Sequence, residues 1–276
     1  MTEYIRADQY GDPNATLVQV EKYGKIAVLT LTNGKFNGYT HRMFKQMDAA
    51  VVDARFDPEI EVIIITGAGS MFCAGADINM LEKSDPLSKY YFCLHANETL
   101  SRLEQTPKLT IAALNGHAVG GGMEIAMACD MRIACAGKGK MGLPEVSLGV
   151  LPGTGGTQRL SRIVGKYKAI EMMTMGNLID WDEAKALGLI TSIMEVGEGE
   201  EFGAKVREWA AQFTTPRAAS MAIGHIKRAV HSGFEVPLEY GLAIERELQA
   251  KLFASEDARE GLTAYVGKRT PEFSGK

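Results

Sequence analysis

Strand-sized apolar runs, each followed by a glycine-containing loop and then a helical stretch, recur through the first 190 residues, and this recurrence constrains the fold most. Glu61-Val-Ile-Ile-Ile-Thr66 and Thr110-Ile-Ala-Ala-Leu114 are short, largely apolar and bounded by turn residues, so both read as buried strands. Ahead of them, Thr16–Glu21 and Lys25–Thr32 are β-rich and separated by a turn at Tyr23-Gly24. Asp130–Ala134 reads as a further strand. Met43, Met47, Val51 and Ala54 fall at helical spacing and predict a helix from about Thr40 to Arg55. Further helices are expected over Lys89–Gln105 and from Gly120 to Met127. Such alternation indicates an α/β fold.

The character changes near the end. Glu198–Phe213, Pro216–His231 and Pro237–Ala254 read as successive helices with short breaks. The expected organisation is an N-terminal extension (1–15), a core (16–197) and a C-terminal helical region (198–276). That last region either contacts another subunit or packs on its own core.

Composition narrows the function classes. A net charge of −4 argues against a surface that coats nucleic acid. Met1–Thr16 carries Glu3, Asp8 and Asp12 and no apolar run, so no signal peptide is expected. No stretch approaches the roughly 20 apolar residues of a membrane span. Cys73, Cys93, Cys129 and Cys135 show no Cys-x-x-Cys spacing and the histidines no His-x-x-x-His pair, so no metal site is expected. Reduced thiols in a cytoplasmic protein are the expectation.

Thirty glycines in 276 residues are about 11%, against a usual value of roughly 7%. Several glycine clusters compete for a phosphate-binding role. Gly67-Ala-Gly69 follows a strand, but Phe72 stands at the third glycine position of the dinucleotide pattern. Gly153-Thr-Gly-Gly156 is followed by Thr157-Gln-Arg159, so it is not a P-loop. Cys73-Ala-Gly-Ala-Asp77 and Gly120-Gly-Gly122 remain. Both present bare backbone N–H groups, and two such groups converging on one oxygen stabilise an enolate or tetrahedral oxyanion. Taken singly, each cluster is accounted for by tight turns.

Two carboxylates shift that balance. Glu124 follows the triple glycine among Met123, Ile125, Ala126 and Met127, where desolvation raises its pKa toward the range useful for proton transfer. Glu145 lies in the turn-like, apolar-lined Gly142–Gly149. With the glycine loops, they suggest an oxyanion site with a carboxylate pair beside it.

These residues resemble the enoyl-CoA hydratase/isomerase (crotonase) superfamily from about Thr16 to the C-terminus. The most specific segments are Phe72-Cys-Ala-Gly-Ala-Asp77, Ala112-Ala-Leu-Asn-Gly-His-Ala-Val-Gly-Gly-Gly-Met-Glu124 with Cys129-Asp130, and Leu143 to Leu160. The resemblance implies a spiral of ββα units whose core binds CoA and carries the catalysis. It implies a C-terminal oligomerisation region, trimers or dimers of trimers, an acyl-CoA thioester substrate and no separate cofactor. It places the oxyanion donors on the N–H groups of Ala76 and Gly121 and the adenine contact on the carbonyl of Ala74, with Gly75, Asp77 and Ile78 in the same CoA-binding segment. It makes Glu124 and Glu145 the pair that adds water syn across a 2-enoyl thioester, Glu145 carrying the proton to the α-carbon.

Three departures bear on the grip of the CoA phosphates. Leu31–Tyr39 lacks the family's proline and has Gly38 for its alanine, Asn79 replaces a common lysine, and Pro107-Lys108 inverts the usual order. Lys35, Lys268 and Lys276 are candidate replacements. Within the family, both glutamates favour hydration over isomerisation, and Gly153 disfavours a dehalogenase, whose nucleophilic aspartate would stand there. A specialised branched, cyclic or dienoyl substrate is an alternative; Met80, Leu81, Leu87, Tyr90, Tyr91 and Phe92 are candidates to line an acyl pocket, although their helical spacing reads for most of them as packing. An RNA-binding role is disfavoured because Arg42, Lys45 and Arg55 share their helix with Asp48 and Asp53. A catalytically dead scaffold is disfavoured by the presence of both acids.

Overall fold

The computed structural model describes residues 9–276, so the first eight residues of the expected N-terminal extension lie outside the described residues. Strand β1 (Val18–Tyr23) pairs antiparallel with β2 (Ile26–Leu31). From β2 onward the main sheet is parallel, running through β3 (Val62–Gly67), β5 (Leu109–Leu114), β7 (Met131–Cys135) and β9 (Ser192–Met194) in the order β1-β2-β3-β5-β7-β9. Of the parallel strands, β2, β3, β5 and β7 are largely buried on both faces because their side chains alternate between two cores. Ile63 and Ile65 join Met43, Met47 and Leu100 on one side, while Val62 and Ile64 join Phe202 and Val206 on the other.

Each of three main-sheet strands turns a corner into a shorter one. β3 leads to β4 (Met71–Cys73), β5 to β6 (His117–Val119) and β7 to β8 (Met141–Gly142), and these form a second sheet ordered β4-β6-β8. The corners are held by amide side chains. Asn115 donates to Gly67 and Gly69 carbonyls at 2.9 Å each, and Asn37 to Ala68 and Met71 carbonyls at 2.9 and 2.8 Å. Helices follow the pairs: α2 (Ile78–Lys83) and α3 (Pro86–Glu104) after β4, α4 (Gly121–Met127) after β6, and α5 (Gly156–Val164), α6 (Lys166–Met175) and α7 (Trp181–Ala186) after β8. Helix α1 (His41–Phe56) precedes them, capped by Thr40, whose hydroxyl accepts from the Met43 N–H at 3.2 Å. The result is a spiral of ββα units.

The C-terminal region comprises α8 (Phe202–Ala210), α9 (Ser220–Phe234), α10 (Leu238–Phe253) and α11 (Glu256–Val266). α9 is fastened to the core by Lys227, whose buried ammonium meets Asp130 at 2.8 Å and donates to the carbonyls of Leu103 and Lys108. Among the described residues, no helix is long and apolar enough to cross a membrane.

Element boundaries differ from expectation where a cap or a break intervenes. α3 starts at Pro86 rather than Lys89 because Asp85 accepts from the Ser88 N–H at 2.7 Å. α8 starts at Phe202 rather than Glu198 and ends in a 3-10 turn over Ala211–Phe213. α9 begins at Ser220, four residues later than expected, and α11 is an additional helix.

Candidate active site

Two walls of backbone meet where the small sheet ends. On the first, β4 runs into Ala74–Asp77, and Asp77 then caps α2 by accepting from the Met80 N–H at 3.0 Å. This segment bridges Tyr39: the Tyr39 N–H donates to Gly75 O and the Asp77 N–H donates to Tyr39 O, both at 2.9 Å. In a parallel pairing the residue between those two contacts turns its own N–H to the opposite side. That residue is Ala76.

The second wall is the start of α4. Gly121 opens the helix, and its N–H, like any in a first turn, has no acceptor within the helix. Among the described residues, neither the Ala76 N–H nor the Gly121 N–H donates to a protein acceptor. The two loops abut closely. Gly75 has φ +94°, and a Cβ there would lie 3.3 Å from the Gly121 nitrogen. A Cβ on Gly121 would lie 2.0 Å from the Tyr39 hydroxyl oxygen. Both positions therefore demand glycine, one for its left-handed backbone and one for space.

The carboxylates come from α4 and from the turn after β8. Glu124 is 1% exposed, yet fully satisfied. Its Oε1 accepts from the Thr154 and Gly156 N–H groups at 2.8 and 2.6 Å, and its Oε2 accepts from the Thr154 hydroxyl. Burial raises its pKa, and these hydrogen bonds oppose the rise. Glu145 opens the 3-10 turn Glu145–Leu148 and is only partly buried. Its Oε2 is shielded from solvent and has no hydrogen-bond partner among the described residues. Burial, reinforced by the negative charge of Glu124, pushes its pKa up to about 7, while Lys89 pulls the other way. The two acids thus differ in environment, one gripped by donors and one poised to exchange a proton near neutrality.

Both walls and both acids line one cavity of about 770 Å³, together with Tyr39 and Lys89. The buried Tyr39 phenol has a pKa pushed well up by burial and then by the charge of Glu124, so it stays protonated. An oxygen held between the two free N–H groups would have its developing negative charge stabilised while the acids move protons at adjacent atoms.

The structure brings Ala74, Gly75, Ala76, Ile78, Gly121, Glu124 and Glu145 together around this cavity. Ala74 and Ile78 are exposed at its rim, and the Asp77 side chain is committed to capping α2 and to the Tyr10 hydroxyl at 3.0 Å. Lys35 and Lys268 are exposed and do not line the cavity. Of the six acyl-pocket candidates only Leu81 lines the cavity; Met80 and Phe92 pack in the core, in keeping with their helical spacing, whereas Leu87, Tyr90 and Tyr91 face solvent. The phase of α3 is the reason, since it turns Lys89 rather than the neighbouring tyrosines inward. Tyr39, Lys89, Thr154 and Gly156 were not identified from sequence. The available signal for the last two was the Gly153–Gly156 loop, whose N–H groups receive a carboxylate instead of a phosphate.

A ββα spiral with two free N–H groups facing a carboxylate pair defines the crotonase class. The chain matches the model of the Enoyl-CoA hydratase/isomerase family over residues 21–276 and belongs to that family. It is 37% identical over 257 residues to the short-chain-enoyl-CoA hydratase of Clostridium acetobutylicum, covering 92% of this chain and 96% of that protein. It is 35% identical over 259 residues to the crotonyl-CoA hydratase of Syntrophomonas wolfei, covering 93% and 97% respectively. The crystal structure of an enoyl-CoA hydratase from Geobacillus kaustophilus HTA426 matches with a TM-score of 0.90 at 43% identity, covering 95% of this chain and 98% of that one.

Proposed function

We propose that this protein is an enoyl-CoA hydratase, adding water reversibly across the 2,3 double bond of an acyl-CoA thioester. The observation that carries the reading is the meeting, in one cavity, of two N–H groups from separate loops with two differently held carboxylates. The thioester oxygen accepts from Ala76 and Gly121, which stabilise the charge that develops there as water attacks C3. The Glu124 carboxylate takes a proton from that water as its oxygen bonds to C3. Glu145 delivers its own proton to C2 on the same face. One water is consumed, and the pair ends holding the single proton with which it began.

The CoA moiety runs along the exposed Ala74–Ile78 edge, with the Ala74 carbonyl meeting the adenine and Lys35 or Lys268 meeting phosphate. No separate cofactor is needed, because water and thioester supply every atom. Assembly into trimers or pairs of trimers is part of the reading, supported by apolar side chains exposed on α9–α11, such as Val230 and Phe234 at 63% and 70%. A cytoplasmic setting is supported by four free cysteines, three of them buried. Purified protein given short and medium trans-2-enoyl-CoA esters should bleach the absorbance of the conjugated thioester. Absence of turnover across that panel refutes the reading.

A further inference from the structure

Lys89 places a cation at the wall of the cavity, where its charge acts on Glu145 without forming an ion pair with it. Its Nζ lies over the Phe92 ring, 4.7 Å from the centroid, and 3.9 Å from where a Cβ on Gly153 would stand. Phe92 is buried and stacked on Tyr39 with centroids 5.7 Å apart, so the surface beneath the ammonium is fixed. Among the described residues Lys89 forms no salt bridge.

The carboxylates around the cavity do not supply its partner. Glu124 is occupied by three donors on the glycine loop, Asp85 is engaged with Ser88 as a helix cap, and Glu82 is exposed. Glu145 shares the cavity, but its Oε2 has no hydrogen-bond partner among the described residues and it makes no salt bridge with Lys89, and burial favours its neutral form. A cation in a partly dry pocket is stabilised by an anion delivered to it.

The position of Lys89 tells which part of a ligand would bring that anion. The ammonium stands against Gly153, on the loop that grips Glu124, and not on the Ala74–Ala76 wall that carries the CoA edge. A group reaching it belongs to the acyl side of the thioester. Resting on the hydratase reading above, we propose that the preferred substrate is the 2-enoyl thioester of a dicarboxylic acid, its free carboxylate paired with Lys89.

Saturated thioesters separate recognition from chemistry. Calorimetric Kd values for glutaryl-CoA and pentanoyl-CoA, which have equal chain length, are compared in the wild type, K89M and K89R. The wild type should favour glutaryl-CoA on the order of 10- to 100-fold, as expected for a charge-assisted contact. K89M should erase that preference and K89R should keep most of it. Equal affinities in the wild type, or a preference that survives in K89M, overturn the proposal. Turnover of glutaconyl-CoA and trans-2-pentenoyl-CoA is measured alongside. If neither these nor any ester of the panel above is hydrated, the hydratase reading fails, while the binding ratio still decides the role of Lys89.

Discussion

Thr154 holds Glu124 by both carboxylate oxygens, its N–H donating to Oε1 at 2.8 Å and its hydroxyl to Oε2. A buried acid gripped in this way keeps one orientation through a proton-transfer cycle. The same grip offsets part of the desolvation that raises its pKa.

Replacing Thr154 with valine removes the hydroxyl donor and leaves both backbone donors in place. A hydrogen bond to a charged group is worth about 1.5–3 kcal/mol, so kcat/KM should fall on the order of 10- to 100-fold. T154S should restore most of the loss. Steady-state kinetics on one enoyl thioester checks this, and wild-type rates in T154V would show that Glu124 is positioned without the hydroxyl.

The pH profile follows from the shared proton. Glu145 titrates at about 7, so above that pH the pair loses its last proton and kcat/KM for hydration should fall roughly tenfold per unit. Hydration moves the proton from one acid to the other without net uptake, so dehydration uses the same protonation state and has the same alkaline limb. A profile that stays flat from about pH 6 to 9 contradicts this assignment.

Stability should respond in the corresponding sense. The Glu145 carboxyl has a higher pKa folded, about 7, than its ordinary value of 4.5, so the native state binds the proton more tightly. Ionisation therefore destabilises the native protein progressively as pH rises from the lower value through the upper one. E145Q should melt at a higher temperature than wild type at about pH 8, with the gain shrinking on acidification and vanishing below the unfolded pKa. Thermal unfolding at several pH values tests this; a gain independent of pH would point to packing instead.

Gly121→Ala should reduce activity by orders of magnitude, because the new Cβ meets the Tyr39 hydroxyl at 2.0 Å and the donor must shift. Removing that hydroxyl does not make room, since the ring atoms Cε1 and Cζ lie at 2.2 and 2.4 Å. The double variant G121A/Y39F should accordingly stay as impaired as G121A in kcat/KM. Recovery in the double variant would show that the hydroxyl alone sets the space.

Much of the main sheet was legible in the sequence because strands such as Val62–Gly67 are buried on both faces and read as unbroken apolar runs. The second sheet was not, since Met71–Cys73, His117–Val119 and Met141–Gly142 are too short to carry any period. Glu124 and Glu145 were legible as acids in apolar surroundings. The partners of Glu124 lie thirty or more residues away in a loop whose glycines matched no known cradle. The meeting of Tyr39 with Gly121, eighty-two positions apart, exists only once the chain is folded. The tyrosines of α3 showed the reverse failure: adjacent aromatic residues suggested a pocket, but Tyr90 and Tyr91 are 61% and 56% exposed.

The central claim is that Glu124 and Glu145 act together on a thioester held by Ala76 and Gly121. Hydration rates of E124Q and E145Q on the best trans-2-enoyl-CoA substrate, with the fold verified by circular dichroism, test it most directly. Each variant should lose orders of magnitude in kcat, since each acid is needed to take or give a proton. Either variant turning over at the wild-type rate would contradict the account.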